Sequence, residues 1–154
     1  MRWICVAALC AACSTGARRD EPQTMPSDSH PKVHITTPSG TASVDVEVVS
    51  SEEDVERGLM YRKSMAPDAG MLFLMRRDYD WAFWMKNTYI SLDLIFIRRD
   101  MTIAGIVKNA PPLNEDLQRV GEPSLYVLEV NAGWTAQHGV VANAKVWFDG
   151  VSTR

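Results

Sequence analysis

The sequence predicts an α+β protein that is mainly β: a twisted antiparallel sheet curled into a small barrel-like domain with one or two short helices. Three observations carry that expectation. Short segments alternating apolar and polar residues recur at near-regular spacing from Val33 onward. Turn residues separate them. Only two stretches read as helices. With 46% hydrophobic residues in 154, the chain suits one domain, which buries roughly two thirds of its unfolded surface and needs no disulfide or metal to fold.

Taken in order, "KVHITTPSGTASVDVEVVS" reads as a hairpin. Val33 and Ile35 alternate, Pro38-Ser39-Gly40 supplies the turn, and Val44, Val46 and Val48 alternate with Ser43, Asp45 and Glu47. "SSEEDVERGLM" reads as a short helix, with Ser50 and Glu53 as a capping box. Three acids in its first turn suit the dipole, and Gly58 suits its exit. "MLFLM" is a strand. "WAFWMK" alternates, so Trp81, Phe83 and Met85 point one way and Ala82, Trp84 and Lys86 the other. "LDLIFI" places Leu92, Leu94 and Phe96 on one face and Asp93, Ile95 and Ile97 on the opposite face. "TIAGIVKNA" and "LYVLEVN" are strands, separated by the long loop "PPLNEDLQRVGEPS". "AGWTAQHG" is a short helix stopped by Gly139, and "AKVWFD" closes the sheet. The total is about eight strands.

The first segment, residues 1–13, reads as a signal peptide. Its apolar run from Trp3 to Ala12 is too short for the ~20 helical residues that span a bilayer. It ends in "CAACSTG", which resembles a bacterial lipobox, with Cys13 as the lipidated residue and Ser14 weakly favouring the outer membrane. Cys10 stands where that motif has Leu; the alternative is an ordinary signal cut nearby and a secreted product. Residues 14–32 are rich in Ser, Pro and charge and read as a disordered tether, reaching ~25 Å at random-coil scaling, or as a frayed terminus. Residues 33–150 form the single globular domain. The expected location is the periplasmic side of a bacterial membrane, with the N-terminal lipid as the membrane contact.

All three cysteines lie in the leader, so the body has no thiol nucleophile and no thiolate metal site. The chain's three histidines, His30, His34 and His138, show no ligand spacing, and no metal is expected. There is no phosphate-binding Gly loop and no expected cofactor. A net charge of −3 without a basic stripe gives no ground for nucleic acid. Met60, Met65, Met71, Met75 and Met85 read better as core filling than as soft metal ligands.

Three charges stand out: Lys86, Asp93 and Glu129 each sit on a strand face of mostly apolar residues. An isolated buried ion costs several kcal/mol. These ions therefore face water at a rim or find partners, and a Lys paired with an acid is the simplest solution. Arg57 and Arg62 could join them, Asn87 adds neutral donors, and Trp84 could be an aromatic wall or a cation–π partner. The functional reading is a concave site of Arg57, Arg62, Trp84, Lys86, Asn87, Asp93 and Glu129 for a small polar or anionic ligand, or for an envelope partner protein. The packing reading is an ion-pair network that fixes strand register. A third reading makes Asp93 and Glu129 the carboxylate pair of an envelope carbohydrate-active enzyme. The residues name no reaction.

The blocks "RGLMYRKSMAPDAGMLF", "FWMKNTYISLDLIF" and "YVLEVNAGW" resemble the signature blocks of the bacterial and archaeal domain-of-unknown-function family number 192, from about Val33 to Phe148. The resemblance implies a mostly β, barrel-like α+β fold and a protein of the exported or membrane-tethered kind. It brings no reaction with it. Ser91 stands where the family has Pro, and "RRDM" lacks its usual Asp-Gly turn.

Overall fold

The structure, a computed structural model, describes residues 30–153. The leader, Cys13 and nearly all of the tether lie outside those residues.

Seven strands make one sheet in the order β5-β4-β6-β3-β2-β1-β7. Strands β1 (Lys32–Thr37) and β2 (Gly40–Val49) form the expected hairpin, with Thr37 paired to Gly40. Helix α1 (Glu52–Arg57) follows, then β3 (Ala69–Tyr79), which lies parallel to β2. Every other pairing is antiparallel. Parallel neighbours need a crossover long enough to carry the chain back; residues 50–68, α1 among them, provide it. Apolar alternation is blind to strand direction, so only the connection could have revealed this pair.

Strands β4 (Leu92–Ile97), β5 (Ile103–Ala110) and β6 (Ser124–Asn131) complete one side of the sheet, and β7 (Val146–Asp149) pairs with β1 on the other. The sheet curls until its two edges meet at one end. There Val146 N–H donates to the Met101 carbonyl at 2.9 Å, Ile103 N–H donates to Ala144 at 3.0 Å, and Thr102 bridges Lys145. The result is the barrel-like, mainly β domain the sequence predicts, with α1 and α2 (Trp134–Gln137) as its two short helices.

Curling gives the sheet two buried faces. One apolar cluster draws on all seven strands, with Ile35, Val44, Leu72, Ile97, Leu128 and Val146 among its members, and is the barrel interior. The other draws its buried strand residues from β3 to β6, with Met71, Phe73, Leu94, Phe96 and Val127 packed against Leu59 and Met85. Every residue of β4 is buried because that strand serves both.

Two local expectations are corrected. The N-cap of α1 is Ser51, not Ser50: its hydroxyl accepts from Asp54 N–H at 3.1 Å. The segment "WAFWMK" is not a strand. Its one ladder contact is an isolated bridge between Phe83 and Gln118. The alternation is nevertheless real, because Trp81, Phe83 and Met85 all pack on the outer cluster. The segment is a strap over the sheet, fastened to the long loop rather than to a strand: Phe83 and Gln118 exchange bonds of 2.9 and 2.7 Å, Met85 N–H donates to Asn114 at 2.7 Å, and Leu113 N–H to Thr88 at 3.0 Å.

Candidate functional site

Register decides where each charge points. In an antiparallel pair, residues directly opposite share a face. Asp93 is opposite Val130, and Glu129 is opposite Leu94 and Met71. Val130 belongs to the barrel interior, whereas Leu94 and Met71 belong to the outer cluster. The two carboxylates therefore lie on opposite faces of the sheet and cannot flank one substrate. This corrects the carbohydrate-enzyme reading.

Asp93 is fully buried and fully used. One oxygen accepts from Asn109 N–H at 2.8 Å; the other accepts from Thr135 N–H at 3.0 Å and Thr135 hydroxyl at 2.6 Å. It fastens the end of β5 and the start of α2 to the centre of the sheet. Asp93 thus has a structural position and takes no part in an open site.

Lys86 pairs with neither acid. The strap turns at Met85–Thr88, closed by Thr88 N–H to Met85 at 3.1 Å, with Asn87 at φ 56°. Asn tolerates that left-handed conformation better than most residues. The turn lifts Lys86 out of the apolar layer and sets its ammonium 5.0 Å from the centre of the Trp84 ring. The expected ion-pair network linking Lys86 to Asp93 or Glu129 is absent among the described residues. Arg62 is also elsewhere: it grips Glu47 with both guanidinium nitrogens, one at 2.6 Å. That bond holds the Glu47 carboxyl below its usual range and the guanidinium above its own.

Glu129 remains. It rises from the middle of β6 into the outer layer, under the strap and α1, and is 5% exposed. It lines a pocket of about 210 Å³ whose walls include Phe73, Trp81, Phe83 and Trp84, with Glu56 and Arg57 at the α1 side. Phe73 and Phe83 stand nearly perpendicular, at 78°. No described side chain ion-pairs with Glu129 or hydrogen-bonds its carboxyl, and burial alone pushes it up to about 8. At neutral pH it is mostly a protonated acid in an aromatic cleft.

A shallower depression shares Glu56, Arg57, Met60 and Trp84 with this pocket and adds Lys86, Asn87 and Tyr61. Asn87 donates to the Tyr61 hydroxyl at 2.9 Å, which fixes the outer rim. Five of the seven sequence-selected residues, Arg57, Trp84, Lys86, Asn87 and Glu129, thus line one or other of these two adjoining hollows. Sequence reasoning missed the walls of the deeper one, Phe73, Trp81 and Phe83. For Trp81 and Phe83 the signal was present in "WAFW", three aromatics in four residues, but the strand reading gave them only a shared face; Phe73 lay unmarked in the strand "MLFLM". Among the described residues, no cluster of His, Cys, Asp or Glu could hold a metal ion, and no helix is long and apolar enough to cross a membrane.

The curled, mainly β fold is shared with known proteins. The chain belongs to the DUF192 family, uncharacterized ACR, whose family model matches residues 34–148. It is similar to a solved structure from Sinorhizobium meliloti 1021, described as a candidate transcription regulator, with 42% identity over 79% of this chain and 95% of that one and a TM-score of 0.74. It is also similar to a protein of unknown function from Novosphingobium aromaticivorans DSM 12444, with 34% identity over 75% and 83% of the two chains and a TM-score of 0.73. No curated protein matches the chain.

Proposed function

We propose that this protein is an exported, lipid-anchored binding domain of the bacterial envelope that takes a small molecule in the Glu129 pocket. One observation carries the binding half: a buried carboxyl with no partner among the described residues lines a cleft walled by aromatic rings. An unpaired buried polar group costs stability, and natural chains accept such a cost mainly at sites that work. The packing reading needs partners for Glu129, and none is present among the described residues. Export and anchoring rest on the leader and on Cys13 in "CAACSTG".

Two experiments test the two halves. Native mass spectrometry of the purified protein should show a retained small molecule that is lost in Ala82→Phe, which fills the pocket from the strap. A wild-type protein that carries nothing, and whose tryptophan resonances stay fixed in a fragment screen, sinks the binding reading. Metabolic palmitate labelling should mark wild type and not Cys13→Ser; equal labelling, or none, sinks the anchor.

A further inference from the structure

We propose that the Glu129 pocket selects a small organic cation of the methylated-ammonium class, held by the aromatic walls and neutralising the buried carboxylate. This rests on the reading of that pocket as a binding site and goes further by fixing the charge of the ligand.

The composition of the lining points to a cation. Its charged members are Glu56, Arg57 and Glu129. Arg57 already bonds Glu53 at 3.2 Å, on the outer side of α1. An anion would therefore enter beside two acids, and Lys86, a base without an acid partner among the described residues, lies in the outer depression and not in this lining. A neutral ligand would leave the acid merely hydrogen-bonded. A cation supplies what the carboxylate lacks.

The walls suit the same class. Aromatic faces attract cations, most strongly when water is excluded, and methylated ammonium groups are recognised this way. The chain's own side chains show the tendency: Lys86 lies over Trp84, and Arg77 lies 5.8 Å from the Trp81 ring. Both tryptophans of the pocket already draw a cation to one side. Size agrees too, since 210 Å³ is many times the roughly 10–15 Å³ that one water needs, yet small for an extended ligand.

Binding a cation should discharge the proton that Glu129 keeps at neutral pH. The groups that face this carboxyl are few. Glu56 and Arg57 come from α1, β3 presents Met71, and β4 presents Leu94. Among the described residues no other titratable side chain lines the pocket, so a proton released on binding would report on Glu129.

The test is a titration of the full-length chain with choline and with 3,3-dimethylbutanol, its uncharged carbon isostere, followed through the indole N–H resonances of Trp81 and Trp84. Choline should bind about tenfold or more tightly than the alcohol. Its affinity should rise about tenfold per pH unit below pH 8 and level off above. Glu129→Gln should lose both the preference and the slope; the choline–alcohol comparison itself needs no variant. Equal binding of the two probes, or tighter binding of the alcohol, overturns the cation assignment while the pocket stands as a binding site. If neither probe moves the indole resonances, the cation assignment falls, and the binding reading stands or falls on the retained-molecule and fragment experiments.

Discussion

Asp93 and Glu129 are buried acids on adjacent strands, one residue apart in register, and the chain treats them in opposite ways. Asp93 accepts three hydrogen bonds; Glu129 accepts none from a described side chain. Their substitutions should diverge. Asp93→Ala leaves three donors stranded and should cost about 3–5 kcal/mol, read by urea unfolding. Lys86→Met removes a half-exposed cation from one ring face and should change stability by less than about 1 kcal/mol. Glu129→Gln should depend on pH. Between about 4.5 and 8 the folded protein keeps a proton that the unfolded chain has lost. Wild-type stability therefore falls as pH rises through that window and levels off above it. The variant lacks this slope, so it should gain about 2–4 kcal/mol on wild type between pH 5 and pH 9. The sequence singled out all three ions, because a charge on an apolar face is conspicuous. It could not sort them, because a single step of register decides the face.

At the scale of elements, the site exists because α1 and the strap stand off the sheet rather than joining it. Gly58 ends α1 at φ 45° and ψ −130°, and a Cβ there would meet the Phe73 ring at 3.2 Å. Gly58→Ala should therefore cost about 1–3 kcal/mol and disturb the pocket wall, visible as shifted Trp81 and Trp84 resonances. Ser51→Ala should cost about 1 kcal/mol through the lost cap, with those resonances unmoved. The helix was legible within one residue of its cap. The strap was not, for a physical reason: its period-2 alternation comes from lying on an apolar surface, and a strand partner is not needed to produce it. The bonds that fasten it run to residues 113–118, a loop with no pattern of its own.

Over the whole molecule, burial on both faces makes β4 and β6 the centre of stability, and their amides should exchange slowest with solvent. The sheet's tightness there can be probed at Gly70, where an added Cβ would sit 2.5 Å from the Glu129 carbonyl. Gly70→Ala should cost at least about 2 kcal/mol, because backbone must move. The curled, mainly β architecture was readable from alternation and turns. The parallel β2–β3 pair and the two-layered core were not, since both depend on which face of which strand meets a neighbour. The pocket sits where those two hidden features meet, outside the barrel and beneath the crossover.

The pocket's chemistry turns on the ionisation of one side chain. Carboxyl ¹³C NMR titration of Glu129, assigned by comparison with Glu129→Gln, measures it directly. A midpoint of about 8 is expected from a carboxyl held without partners in an aromatic cleft. A midpoint near 4.5, the ordinary value, would mean that Glu129 is solvated or paired, and the pocket would hold no partnerless acid.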